Sequence, residues 1–138
     1  MSENIFIELK GGLGNQLFQY SFHNYLKFKK NFKVNLNIRW YEFNKRPFLL
    51  NKFLRNFENL NIDKKKRFFY GNEKIISSLL DNDFYIPSNL SGYWQNTKYA
   101  NYLKLSDFND QLLKYSHEKD YYIFHIRRGD FYKSRDHS

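Results

Sequence analysis

Asn4-Ile5-Phe6-Ile7-Glu8-Leu9-Lys10-Gly11-Gly12-Leu13-Gly14-Asn15-Gln16-Leu17-Phe18-Gln19-Tyr20 is the stretch that decides the fold. Residues 4–9 are apolar and partly β-branched, the composition of a short buried strand. Glycines at 11, 12 and 14 break it. From Asn15 to Lys30 the apolar residues Leu17, Phe18, Phe22, Tyr25 and Leu26 recur at helical spacing. Lysines collect at the end of that run, where a helix dipole favours cations. Phe32, Val34, Leu36 and Ile38 then alternate with Lys33, Asn35, Asn37 and Arg39, a period of two that predicts a second strand. Strand, glycine loop, helix and strand make a βαβ unit, so the fold class is α/β, a parallel sheet with helices on its faces.

Further along, Phe48 to Phe57 predicts a helix after Pro47. Lys64 to Arg67 reads as a solvated turn leading into an aromatic strand, Phe68 to Tyr70. Lys74 to Leu80 reads as a short helix, Pro87 to Gly92 as loop, and Asn96 to Leu103 as helical. Ser106 is a candidate N-cap for a helix to about Tyr115. Tyr121 to Ile126 has the apolar character of another buried strand and runs into Arg127-Arg128-Gly129-Asp130. The chain stops twelve residues after that strand, which reads as the front part of a longer protein.

Composition narrows the chemistry. The chain has 138 residues, 23 Lys and Arg against 14 Asp and Glu, and a net charge of +9. A basic excess suits anionic partners, although a Lys-, Asn- and Ile-rich composition also follows from AT-rich coding. There are no cysteines, which excludes disulfides and thiolate chemistry. The four histidines are scattered, without metal-ligand spacing. No apolar run reaches the ~18 residues of a membrane span, and no signal-peptide layout precedes Ile5. The expected location is cytoplasmic, or peripheral at a membrane.

Four motifs can carry chemistry. The loop Gly11-Gly12-Leu13-Gly14 opens a helix, so backbone N–H groups near Gly12 and Gly14 can meet an anion or a hydroxyl. The amides of Asn15 and Gln16 at its mouth suit sugar hydroxyls. It is neither a dinucleotide fingerprint nor a P-loop. His125-Ile126-Arg127-Arg128-Gly129-Asp130 puts two guanidinium forks at the carboxyl end of a strand, where open α/β sheets bind ligands. Gly129 allows the turn, and Asp130 either orients an arginine or takes a proton. Asp81-Asn82-Asp83 has the spacing of a metal-binding carboxylate pair, but it follows an amphipathic helix and reads as a solvated turn. Gly92-Tyr93-Trp94-Gln95 is an aromatic cluster in which Trp94 reads as core, while Tyr93 and Gln95 suit either scaffold or ligand contact.

Taken together, residues 11–20, 92–95 and 125–130 resemble the α-1,2-fucosyltransferases of glycosyltransferase family 11, in which these motifs occur in this order. The resemblance spans residues 4 to 132. Ser21 and Phe131 stand where the family usually shows Ala and Tyr, and the family's C-terminal half is missing. The resemblance implies a GT-B enzyme with two Rossmann-like lobes, residues 1–118 forming the first and 119–138 opening the donor lobe. It implies transfer of L-fucose from GDP-fucose to the 2-hydroxyl of a galactose-containing glycan, with inversion and with no metal or other cofactor. It implies that Arg127, Arg128 and Gly129 contact the donor diphosphate. Fixed cations suit that role, because the leaving GDP gains charge without a metal to balance it. Asp130 is the candidate base for the acceptor hydroxyl; His125, Tyr93 and Gln95 are further site candidates. Animal members of the family reside in the Golgi membrane. The competing readings are another GDP-sugar transferase and a basic RNA-binding module, the latter with aromatics on an open sheet face.

Overall fold

The computed structural model describes residues 4–110. Strand β1 (Asn4–Glu8) pairs in parallel with β2 (Lys33–Asn37), Asn4 opposite Lys33 and Glu8 opposite Asn37. Two short strands complete the sheet: β3 (Ile62–Asp63) beside β2 and β4 (Asn89–Leu90) beside β1, all parallel, in the order β3-β2-β1-β4. Helix α1 (Leu13–Asn24) joins β1 to β2 and ends in a wider π-helical turn, Tyr25–Lys29. The βαβ unit therefore forms as the periodicity predicts, the helix starting two residues earlier than Asn15. The architecture is α/β, a four-stranded parallel sheet flanked by helices and compatible with a Rossmann-like fold.

The period of two decides which face is dry. Ile5, Ile7 and Leu9, with Val34 and Leu36, are buried, together with Phe22 and Leu26 of the helical segment. Helix α3 (Glu73–Asp81) and the one-turn helix α4 (Thr97–Ala100) join α1 in one layer. Phe22 stacks on Trp94 with centroids 3.9 Å apart, and Tyr99 meets Phe22 edge-on. The Tyr99 and Ser77 hydroxyls bond at 2.5 Å, and Lys30 Nζ donates to the Leu80 carbonyl at 2.6 Å. The alternate positions of the strands, Phe6, Glu8, Asn35 and Asn37, form a more polar second face. There Asn37 donates to Asp63, and the Arg67 guanidinium, ion-paired to Asp63, lies 3.4 Å from the Phe6 ring centroid.

Several expectations change. The helix expected over 48–57 shrinks to α2 (Leu50–Phe53). Backbone bonds from Arg55 N–H to the Asp107 carbonyl and from Asn109 N–H to the Phe53 carbonyl replace the next helical turn, and Leu54 bridges Phe108. Of the aromatic strand expected at 68–70, only Tyr70 pairs, with Leu90, while Phe68 is 87% exposed. The loop expected over 87–92 contains β4. Helix 96–103 is one turn, capped by the Asn96 side chain at Lys98 N–H. Ser106 lies inside a 3-10 turn (Leu105–Asp107) rather than at a helix cap. The strand expected at Tyr121–Ile126 and the lobe boundary near 118 lie outside the described residues. Among the described residues no helix is long and apolar enough to cross a membrane.

Candidate functional site

The order of the strands brings two loops together. β1 hands the chain through α1 to β2 on one side, while β4 flanks β1 on the other, so the loops leaving β1 and β4 emerge side by side at the carboxyl end of the sheet. Open α/β sheets bind ligands at that end. The two loops here are Lys10–Gly12 and Ser91–Asn96, which belong to the first and third of the four motifs along the chain.

Two glycines are required by the fold. Gly11 has φ +82, and a Cβ there would stand 2.6 Å from Asn15 Nδ2. At Gly92 a Cβ would stand 2.7 Å from Glu73 Cγ, so the glycine lets that carboxylate lie against the loop. Gly12 and Gly14 differ. A Cβ at Gly14 would meet nothing within 4 Å, and one at Gly12 would meet only Arg46 Nη1, at 3.2 Å. Protein packing does not explain Gly14, whose open side is exposed.

Gln16 does not play the part expected of it. It is fully buried; its Nε2 donates to the Gly11 and Pro47 carbonyls at 3.1 and 3.0 Å, and its Oε1 accepts Leu49 N–H at 2.9 Å. With all three bonds made, it is a brace that ties the glycine loop to segment 47–49. Tyr41 adds a bond from its hydroxyl to the Gly11 carbonyl, and burial pushes its phenol pKa up. Gln19 braces the other side: it accepts Lys10 N–H and donates to the Lys10 and Gly92 carbonyls. Asn15 stays accessible and accepts a 2.7 Å bond from Gln95 Nε2, across 80 residues of sequence.

The bases of the two loops hold a cluster that residue types alone did not reveal. Lys10 Nζ donates to Ser91 Oγ at 2.8 Å, and Ser91 Oγ donates to Glu8 Oε2 at 2.6 Å, with Lys10 and Glu8 3.7 Å apart. Tyr93 is 42% exposed, its ring 5.2 Å from Lys10 Nζ. Lys10 and Ser91 directly precede the two motifs; that adjacency was the available signal, but it needed the pairing of β1 with β4 to acquire meaning. A cation, a hydroxyl, a carboxylate, two amides and an aromatic ring suit a ligand rich in hydroxyls or phosphate oxygens.

The other candidates are quieter. Trp94 is in the core, as expected. Asp81 pairs with Lys98 and Asp83 with Lys30, whose bond and charge hold the Asp83 carboxyl below its usual range. Among the described residues no group of three His, Cys, Asp or Glu side chains could hold a metal. His23 is buried against Tyr20, and desolvation pulls its pKa down to about 4. His125, Arg127, Arg128, Gly129 and Asp130 lie outside the described residues. No protein-family model, curated protein or solved structure matches this chain.

Proposed function

We propose that the chain forms the first lobe, and the entry to the donor lobe, of a GT-B enzyme that transfers L-fucose from GDP-fucose to a galactoside 2-hydroxyl. The observation that carries the reading is the meeting of two motifs. The glycine loop and the Gly92–Gln95 segment, distant in sequence, close on one another through Gln19 with Gly92 and Asn15 with Gln95. They do so at the carboxyl end of a parallel sheet, where a ligand-binding role for both is physically reasonable.

On this reading Gly12, Gly14, Asn15, Tyr93 and Gln95 face the transferred sugar or its acceptor. Arg127 and Arg128 clamp the diphosphate and offset the charge that develops on GDP. Asp130 takes the acceptor proton as the new bond forms at the anomeric carbon. The Glu8–Ser91–Lys10 cluster fixes the spacing of the two loops. The alternative of an RNA-binding module finds less support, since the sheet's aromatic on its second face, Phe6, lies under Arg67. The test is transfer from GDP-fucose to a panel of galactosides by the full-length gene product, with linkage analysis of the product. An α-1,2-linked fucose is expected, and consumption of another GDP-sugar in its place would reassign the donor.

A further inference from the structure

The segment 64–70 crosses the sheet. It leaves β3 at one edge and reaches the other, where Tyr70 N–H donates to the Asn89 carbonyl and Ser91 N–H to the Tyr70 carbonyl, both at 2.9 Å. Its path lies over the polar second face. There Asn37 Nδ2 donates to the Lys65 carbonyl at 2.9 Å, and Arg67 Nε donates to Asp63 at 2.7 Å, its guanidinium 3.4 Å from the Phe6 ring centroid. These contacts fix the segment and turn one of its four consecutive cations toward the sheet. The other three, Lys64, Lys65 and Lys66, are exposed. None of them is in an ion pair among the described residues. Phe68 beside them is 87% exposed, the most exposed large hydrophobic side chain among the described residues, with Lys66 Nζ 6.0 Å from its ring centroid.

A lysine-rich composition accounts for the number of these cations but not for their arrangement. The carboxylates of the second face are already paired, Asp63 with Arg67 and Glu8 with Lys10. The outer side of the segment therefore carries three uncompensated charges and an apolar ring, which calls for an anionic partner. Ammonium groups are hydrated point charges, without the planar fork that matches one phosphate bidentately. Lysines side by side suit a diffuse anionic surface, to which each adds its own attraction. Phe68 has a use there too, since an aromatic body enters the headgroup boundary while neighbouring cations stay in water. Single-stranded nucleic acid is bound in basic grooves that track its backbone. Here the cations lie on the outer side of a crossing segment, and its one arginine faces the sheet. We propose that segment 64–68 docks the protein on an anionic lipid bilayer, with Lys64, Lys65 and Lys66 against the headgroups and the Phe68 ring inserted among them. The docking surface is independent of the transfer reading above.

The test sediments the 138-residue chain with phosphatidylcholine vesicles containing about 30% phosphatidylserine, and with vesicles of phosphatidylcholine alone. The chain is expected to bind the anionic vesicles, not the neutral ones, and to be released at about 0.5 M salt. Lys64→Gln/Lys65→Gln/Lys66→Gln should weaken binding about 100-fold, near fivefold for each lysine. Lys29→Gln/Lys33→Gln/Lys52→Gln removes the same charge from exposed positions elsewhere and should weaken it less than about fivefold. Phe68→Ala leaves the charge intact and should weaken it about tenfold. All seven positions are exposed, so the variants should unfold at the wild-type urea midpoint. Equal binding to both kinds of vesicle, binding to neither, or equal losses in the two triple variants would overturn the site. A Phe68→Ala chain that binds like wild type would overturn the insertion of the ring. Polyuridylate that binds more tightly than the anionic vesicles, and is lost with Lys64, Lys65 and Lys66, would overturn the lipid assignment in favour of RNA.

Discussion

The Glu73 carboxylate accepts the backbone N–H of Trp94 and so helps hold a tryptophan in left-handed backbone, its ring stacked on Phe22. The relationship explains the order Gly92-Tyr93-Trp94. Gly92 has no Cβ because Glu73 occupies that space, Tyr93 turns partly outward, and Trp94 is driven into the helical layer. A single carboxylate at the start of α3 thereby shapes the Gly92–Gln95 segment that meets the glycine loop.

Glycines of the two loops should separate by stability. Gly92→Ala forces Glu73 away and should cost about 1–3 kcal/mol, and Gly11→Ala at positive φ a similar amount. Gly14→Ala lies in the first turn of α1 with open space around it and should stabilise by up to about 1 kcal/mol. Urea denaturation measures all three. If the open side of Gly14 receives a ligand, as the proposed function has it, Gly14→Ala in the full-length protein should gain stability and lose transfer.

Gln16 and Gln95 should behave oppositely. Gln16→Ala strands the Leu49 N–H and two carbonyls and should cost about 3 kcal/mol. Gln95→Ala removes an exposed bond and should cost less than about 1 kcal/mol. Equal losses in thermal or urea unfolding would contradict the assignment of Gln16 as a buried brace.

The βαβ unit was legible because its signals are local: alternation over 32–39, helical spacing over 17–26, glycines between. Strands β3 and β4 were not, because two residues carry no period. Ile62 and Leu90 extend only because β2 and β1 offer free edges beside them. Phe68 to Tyr70 had the composition of a strand, but only Tyr70 finds a place, beside Leu90. At the site, the glycines were legible and the glutamines were not. An amide's role depends on what faces it, and the Gly11, Pro47 and Gly92 carbonyls come together only in the fold.

His23 makes stability depend on pH. Its folded pKa of about 4 lies below the ordinary 6.5, because burial disfavours the cation. Unfolded chains therefore bind the proton more readily. Stability from this group is complete above pH 6.5 and declines as pH falls toward 4, by roughly 2 kcal/mol between pH 7 and 5. His23→Phe should flatten that part of the urea-midpoint profile; an unchanged slope would assign the dependence to other groups.

The Asp81-Asn82-Asp83 turn should be dispensable to transfer. Each carboxylate serves a lysine, Asp81 with Lys98 and Asp83 with Lys30. Such exposed pairs contribute little, so Asp81→Asn/Asp83→Asn should leave activity near wild type and shift the unfolding midpoint slightly. Activity should also survive excess chelator. Abolition by EDTA with rescue by Mn²⁺ would restore the metal reading of this motif.

In the proposed function, fucosyl transfer takes place in a cleft to which this chain contributes the glycine loop, the Gly92–Gln95 segment and the arginine pair. The most direct measurement is kcat/KM for GDP-fucose and a galactoside acceptor in the full-length protein, wild type beside Arg128→Ala. The wild type is expected to give α-1,2-linked product, and the variant to lose about 3 kcal/mol or more in transition-state stabilisation. A folded wild type that transfers no fucose to any galactoside, or an Arg128→Ala enzyme with undiminished kcat/KM, would contradict it.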